Sequence, residues 1–247
     1  MSSEVEASLD ISELSNGQTT VRDSSTSVGM TKKLFATLSV IRDIDSRSAA
    51  MNMAIDEALL ECAALPSIRF YRWNHPALSF GYFGKFEDVV SEPRDIVRRW
   101  TGGGIVFHDN DLTYSIVIPA SDAAFAESSM SIYEKTHRAI QCALGSPTEL
   151  AQSSAPKISE SCFANAVRCD VLCNGRKIAG AAQRRTRGGL LQQGSIQGIN
   201  LFADFERSLA RELSEDFGEK TLSESTVERA SHIAAGKYAT DAWRQRR

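Results

Sequence analysis

An Asn-Gly pair at 174–175 divides the run RCDVLCNGRKIAG into two β-prone halves. Both residues tolerate the positive φ that a two-residue type I′ turn demands, which makes this pair the strongest short hairpin signal in the chain. A hairpin here fixes cross-strand neighbours: Cys173 faces Arg176 and Leu172 faces Lys177. Side chains alternate along a strand, so Asp170 falls on the face of Lys177, diagonal to it. The second half of the chain is thereby committed to antiparallel pairing.

The stretches SIRFYRW (67–73), PALSFGYF (76–83), LTYSIVIP (112–119) and GLLQQGSI (189–196) read as further strands. Gly81, Gly84 and the Asp109-Asn110-Asp111 turn punctuate them. A helix is expected over 48–65, where Met51, Ala54, Ile55, Ala58, Leu59 and Cys62 recur at three- and four-residue steps and face the core. Asn52, Asp56, Glu57 and Glu61 fall between them. A second helix fits SIYEKTHRAIQCAL, with Ser131 as its cap and Ile132, Thr136, Ile140 and Ala143 on one side. Residues 202–247 read as mostly helical. Strands cluster between helices without a βαβ rhythm, so the expected fold is α+β: a mixed, largely antiparallel sheet flanked by helices.

The formal net charge of −3 is unevenly spread. Glu4, Glu6, Asp10, Glu13 and Asp23 against Arg22 give the first 29 residues −4, which leaves about +1 for the remainder. A near-neutral body argues against a dedicated nucleic-acid binder, and no apolar run approaches the length of a membrane span. Residues 1–30 are rich in Ser, Thr and acids, so they are expected to stay disordered, with residues 31–247 forming the folded domain. Met30 is an alternative start to Met1. The leading segment is too polar for a signal peptide and too acidic for a transit peptide. Five cysteines are therefore expected to sit reduced in the cytoplasm. Cys162, Cys169 and Cys173 have no His pair at ligand spacing nearby, so no metal site is expected. Cys62 and Cys142 fall on apolar helix faces and read as small buried residues.

Two stretches carry candidate chemistry. In RRWTGGGIVFHD, Gly102, Gly103 and Gly104 bare the backbone, and Arg98 and Arg99 supply planar donors suited to carboxylate or phosphate. Taken alone, the triplet is either an anion-holding loop or a flexible turn, and it matches neither G-x-x-x-x-G-K-[ST] nor G-x-G-x-x-G. His108 reads as a strand histidine that shapes the loop, with nothing in the sequence to pair it with a nucleophile. In GRKIAGAAQRR, Lys177 precedes small residues at 179–182 that leave room for a bound molecule. Locally, Lys177 is either a ligand-facing amine or a solvated edge-strand guard.

Together these stretches resemble the lipoate–protein ligase and octanoyltransferase family. That family carries R-R-x-[TS]-G-G-G/R-x-V-x-H-D and a later G-[RK]-K-[IV]-x-G-[SA]-A-Q. The helix MNMAIDEALL, the pattern RFYRWNHPALSFGYF and the later KYATDAW also fit, so the resemblance covers roughly residues 35–245. It implies the fold shared with biotin–protein ligases, although the biotin-ligase loop G-R-G-R-x-G-R-x-W is absent. The implied chemistry joins an octanoyl or lipoyl group, through an amide, to a lysine of a lipoyl domain of 2-oxoacid dehydrogenase complexes or of the glycine-cleavage H protein. Carried onto this sequence, Arg98, Arg99, Thr101, Gly102, Gly103, Gly104 and His108 wall the acyl chain. Asp170, Gly180 and Ala182 complete the substrate-binding set, and Lys177 contacts the acyl carbonyl or its phosphate.

The family holds two mechanisms. In one, octanoyl comes from an acyl-carrier protein and rests as a thioester on a cysteine, and SCFANAVRCDVLCNGRKIAG places Cys162 in that role. In the other, lipoate is activated with ATP and Mg²⁺ as an adenylate, in some cases with a separate accessory subunit. No tightly bound cofactor is expected in either. Cys162, DLTYS after the His-Asp pair and LLQQGSI favour the transferase, whereas Gly104 is the ligase form of its motif. A third reading, a non-catalytic acyl- or carrier-binding protein, would keep the fold without the reaction.

Overall fold

The computed structural model describes residues 33–155 and 163–246. Both the segment expected to be disordered, 1–30, and Cys162 lie outside the described residues. Strand β1 (Phe35–Arg42) leads to α1 (Ala49–Cys62), where the Ser48 side chain caps the helix by accepting from the Met51 N–H. Next come β2 (Ser67–Tyr71), β3 (Ala77–Phe80), β4 (Asp95–Arg98), β5 (Val106–His108) and β6 (Leu112–Pro119). Helix α2 (Ser129–Leu144) starts earlier than its sequence suggests. Ser128 rather than Ser131 is the cap, accepting from the Ser131 N–H at 3.1 Å, while the Ser131 hydroxyl turns to Glu127 at 2.6 Å.

Beyond it lie β7 (Thr148–Leu150), β8 (Val171–Cys173), β9 (Arg176–Arg185) and β10 (Gly189–Ile196). The β8–β9 hairpin turns as expected, with φ of 50° at Asn174 and 74° at Gly175, Cys173 opposite Arg176 and Leu172 opposite Lys177. The last part holds α3 (Phe205–Leu213), β11 (Ser214–Lys220), α4 (Glu224–Ile233), a π-helical turn over Ala234–Tyr238 and α5 (Asp241–Arg244). Strand β11 corrects the expectation of a mostly helical end. SEDFGEK carries no apolar alternation because it is an edge strand, paired parallel to β1 with its side chains largely exposed.

Among the described residues the main sheet has eight strands, ordered β11-β1-β2-β6-β10-β9-β8-β7. Strand β1 runs parallel to both its neighbours and the other pairs are antiparallel, so the sheet is mixed and largely antiparallel. A second sheet, β4-β3-β5, is separate from it. The two-residue period sorts each central strand between two layers. Ile68, Phe70, Tyr114, Ile116 and Leu190 pack with Ile132 and Ile140 of α2 and Leu209 and Leu213 of α3. Tyr71 packs on the opposite side with Met53, Ile55 and Ala58 of α1 and Ile233 of α4.

Helix α1 departs from its pattern. Asn52 and Asp56, which fall between its apolar positions, are fully buried because they hold Arg69 of β2. Cys62 and Cys142 are exposed rather than buried, because each lies beyond the packed stripe of its helix, and among the described cysteines Cys169 is the buried one. No helix among the described residues is long and apolar enough to cross a membrane.

Candidate active site

The two sheets face each other across a cavity of about 50 Å³, open on one side. Its floor is a row across the main sheet: Gly180 pairs Ser195, Ser195 pairs Thr113, and Thr113 pairs Tyr71. Four strands at the usual spacing make that row about 14 Å long. The next row supplies Ala182 and Gln193, and α1 supplies Met53. Ser79 of β3, Arg99, and Val106 and His108 of β5 close the cavity from the smaller sheet, while Trp73 and Phe163 line its sides.

Lys177 reaches this cavity from β9 with a side chain only 7% exposed. A nearly buried amine of this kind needs a counter-charge, and Asp170, wholly buried, supplies it at 2.8 Å. The Asp170 carboxylate also accepts from the Tyr133 hydroxyl of α2 at 2.6 Å and from the Val167 N–H at 2.7 Å. The lysine stem lies on the bare backbone of Gly180, where a Cβ would come within 2.5 Å of Cε and 2.7 Å of Nζ. Behind this group His137 is wholly buried, with Nδ1 2.7 Å from the Cys169 carbonyl oxygen. Burial pulls its pKa down to about 4, against the pull of Asp170, so the ring is neutral. Burial also raises the Tyr133 phenol, and the Asp170 charge raises it further.

His108 is wired on both sides. Nδ1 lies 2.8 Å from Asp111 Oδ2, and Nε2 lies 2.7 Å from Ser79 Oγ. Nδ1–H donates to the carboxylate, and Nε2 is tied to the serine hydroxyl. Asp111 Oδ2 also accepts from Thr113 at 2.8 Å and Ser195 at 2.6 Å. Burial pushes the Asp111 carboxyl up, but the hydrogen bonds and charge from His108, with those of Ser195 and Thr113, outweigh it and leave the pKa low. Trp73 stacks on the His108 ring at 4.0 Å and donates its indole N–H to Thr113. Arg99 donates to Ser79 Oγ at 2.7 Å and to the carbonyls of Gly102 and Gly104 at 3.0 and 2.8 Å. The serine is thus a fixed junction between the histidine and the glycine loop.

The sequence from 48 to 235 matches the family of the lipoyl protein ligase A/B catalytic domain. The chain belongs to that family. It is 41% identical to the octanoyltransferase LipM of Oceanobacillus iheyensis over 164 residues, which is 61% of this chain and 60% of that protein. It is 34% identical to the LipM of Brevibacillus brevis over 174 residues, covering 62% and 63% of the two chains. The match thus spans a little under two thirds of these relatives' own length. Among solved structures, lipoate-protein ligase A bound with ATP superposes with a TM-score of 0.64 at 23% identity, over 85% of this chain and 98% of that one. The bi-partite lipoate protein ligase of Thermoplasma acidophilum gives 0.63 at 23%, over 85% and 96%. The fold is that of the lipoate–protein ligases.

The family motifs converge only in part. Arg99, His108, Lys177, Gly180 and Ala182 line one cavity, and Asp170 stands directly behind Lys177. Thr101 is buried beneath the wall, donating to Gln193 Oε1 at 2.8 Å. Gly103 turns the loop with φ of 84°, in the left-handed region that favours glycine. Arg98 is elsewhere: alternation along β4 points it away from the cavity, where it donates to the carbonyls of Tyr82, Gly84, Trp243, Arg244 and Arg246. Ser79, Asp111, Tyr133, Gln193 and Ser195 escaped the sequence reading. Two glutamines inside an otherwise apolar strand, Gln192 and Gln193, were the available signal, since buried amides need partners. Gln193 has them in Thr101 and Asp56.

Proposed function

We propose that this chain moves an octanoyl group from a carrier-bound thioester to the lysine amine of a lipoyl carrier domain, through a thioester on Cys162. The observation that carries the reading is Lys177: a nearly buried amine, ion-paired to Asp170 at 2.8 Å, on the wall of a cavity whose other surfaces include Gly180, Ala182, Met53 and Val106. Small and apolar walls suit an alkyl chain, and a fixed cation suits the carbonyl at its head. The octanoyltransferase relatives support the reaction class. The residue bonded to Phe163 on its N-terminal side is Cys162, and the Phe163 ring lies 5.4 Å from Lys177 Nζ.

The Cys162 thiolate attacks the donor carbonyl. The donor sulfur leaves and takes a proton, and an acyl-Cys162 thioester remains. The acceptor amine then attacks that thioester, loses a proton as the amide forms, and releases the Cys162 thiolate. In both halves negative charge builds on the carbonyl oxygen, and Lys177 is the donor held ready for it. Arg99, His108 and the 102–104 loop fix the opposing wall.

Residues 31–247 form the catalytic domain in this reading, and no tightly bound cofactor is required. The donor is an octanoyl–acyl-carrier protein. The acceptor is a lipoyl domain of 2-oxoacid dehydrogenase complexes or the glycine-cleavage H protein. A reducing cytoplasm is the compartment this reading assigns, since the Cys162 thiol must be free to react. The ATP-dependent ligase, with or without an accessory subunit, is the second reading, favoured by the third glycine of the loop. Incubation with octanoyl–acyl-carrier protein and an apo lipoyl domain separates the two. Acceptor acylation without ATP, lost in Cys162→Ser, supports the transferase. Acylation only with lipoate, ATP and Mg²⁺, unaffected by Cys162→Ser, supports the ligase.

A further inference from the structure

Beyond the cavity on β9, two residues past Ala182 and on the same face, stands Arg184. It lies 5.0 Å from the Tyr82 ring and 5.2 Å from the Trp100 ring. Arg246 covers Tyr82 at 4.6 Å and Trp243 at 5.0 Å. Lys237 closes the circle, 4.5 Å from Trp100 and 4.4 Å from Trp243. Three cations therefore alternate with three aromatic rings. Among the described residues the ion pair within this circle is Lys237 with Glu57, at 2.6 Å. Neither Arg184 nor Arg246 has an ion-pair partner among the described residues.

Three cations beside one ion-paired carboxylate repel one another, and Lys237 registers it. Burial lowers the Lys237 pKa, and the charges of Arg184 and Arg246 lower it further against the pull of Glu57. Beside the cluster, Phe83 is 84% exposed and meets Tyr82 edge-on at 5.0 Å. An exposed aromatic next to stacked arginines has the composition of a protein interface rather than of an ordinary surface.

We propose that Tyr82, Phe83, Arg184 and Arg246 form the docking surface for an acidic carrier domain, on which donor and acceptor sit in turn. The inference rests on the transfer reaction proposed above. One cavity serves both halves of that reaction, so both carriers must approach the same rim. Unbalanced positive charge at that rim selects a carboxylate-rich face, and Phe83 supplies the apolar contact. On a chain of net charge −3, such a local excess steers acidic partners to one place.

The test is direct binding to the full chain, by titration calorimetry, of octanoyl–acyl-carrier protein and of an apo lipoyl domain. With the wild-type chain, each carrier binds and weakens as salt rises. The pair Arg184→Glu and Arg246→Glu weakens binding by about tenfold or more, because like charges then face one another. Phe83→Ala weakens it as well, with fold integrity checked by near-UV circular dichroism. Arg207→Glu, an exposed change on α3 on the other side of the main sheet, leaves binding unchanged. Absence of binding by either carrier overturns the proposal, as does binding indifferent to the arginine pair or equally reduced by Arg207→Glu. If binding follows the expected pattern but no acyl group is transferred, the docking surface stands and the proposed reaction falls.

Discussion

Lys177 and Asp170 depend on each other at the level of single atoms. Removing the amine in Lys177→Met should slow acceptor acylation by about 10²–10³-fold, the usual loss when a preorganised oxyanion donor is removed. The same change leaves the buried Asp170 carboxylate without its cation, at a cost of about 3 kcal/mol in urea denaturation. Adding Asp170→Asn should return most of that stability and none of the activity. Recovery of activity in the double variant would show that the lysine does not serve the reaction. A second prediction concerns His137, whose pKa is lowered to about 4 by burial. Between that value and its ordinary one of about 6.5, the unfolded state binds a proton that the folded state refuses. Stability is then fully present above the ordinary pKa and falls with pH toward about 4, by roughly 3 kcal/mol in all. His137→Gln should flatten that part of the pH–stability curve relative to the wild type; parallel curves would contradict a neutral buried ring.

Elements explain where the sequence was legible and where it was not. The β8–β9 hairpin could be read because Asn174 and Gly175 fix their own geometry, but strict alternation stops at a register shift that sets Ala179 rather than Ile178 opposite Val171, and the Lys177–Asp170 pair forms across that bulge. Arg98 and Arg99 looked alike in sequence, yet adjacent strand residues point to opposite sides, and only Arg99 meets the cavity. Arg98 instead fastens α5 through the carbonyls of Trp243, Arg244 and Arg246. Five carbonyls lose a charged donor in Arg98→Ala, so amide exchange over 241–246 should accelerate by about tenfold or more while β6 and β10 stay protected. Arg98→Lys should not rescue it, because a single ammonium cannot span the fork of acceptors. Uniform acceleration across the chain would mean that Arg98 supports the whole fold rather than this junction. Strand β11 could not be read from its residues, since its partner, β1, lies more than a hundred positions away and its side chains are largely exposed.

At the scale of the described residues, two sheets face each other with the candidate site between them. Strands β6 and β10 read as strands from the sequence, and both are buried throughout, polar positions included, because helices or the second sheet cover both their faces. No local signal separates β3, β4 and β5 into their own sheet, so the facing of Ser79 and His108 onto Thr113 and Ser195 emerges only in three dimensions. Motif resemblance supplied the pairing of the glycine loop with the lysine hairpin, and the cavity joins Arg99 and His108 to Lys177. Among all measurements, intact mass of the full chain after incubation with octanoyl–acyl-carrier protein, without ATP, bears most directly on the proposed reaction. The account predicts a single octanoyl adduct that maps to Cys162, is cleaved by hydroxylamine, is absent in Cys162→Ser and passes to an apo lipoyl domain. An unmodified chain, alongside a lipoyl domain modified only with lipoate and ATP-Mg²⁺, would contradict it.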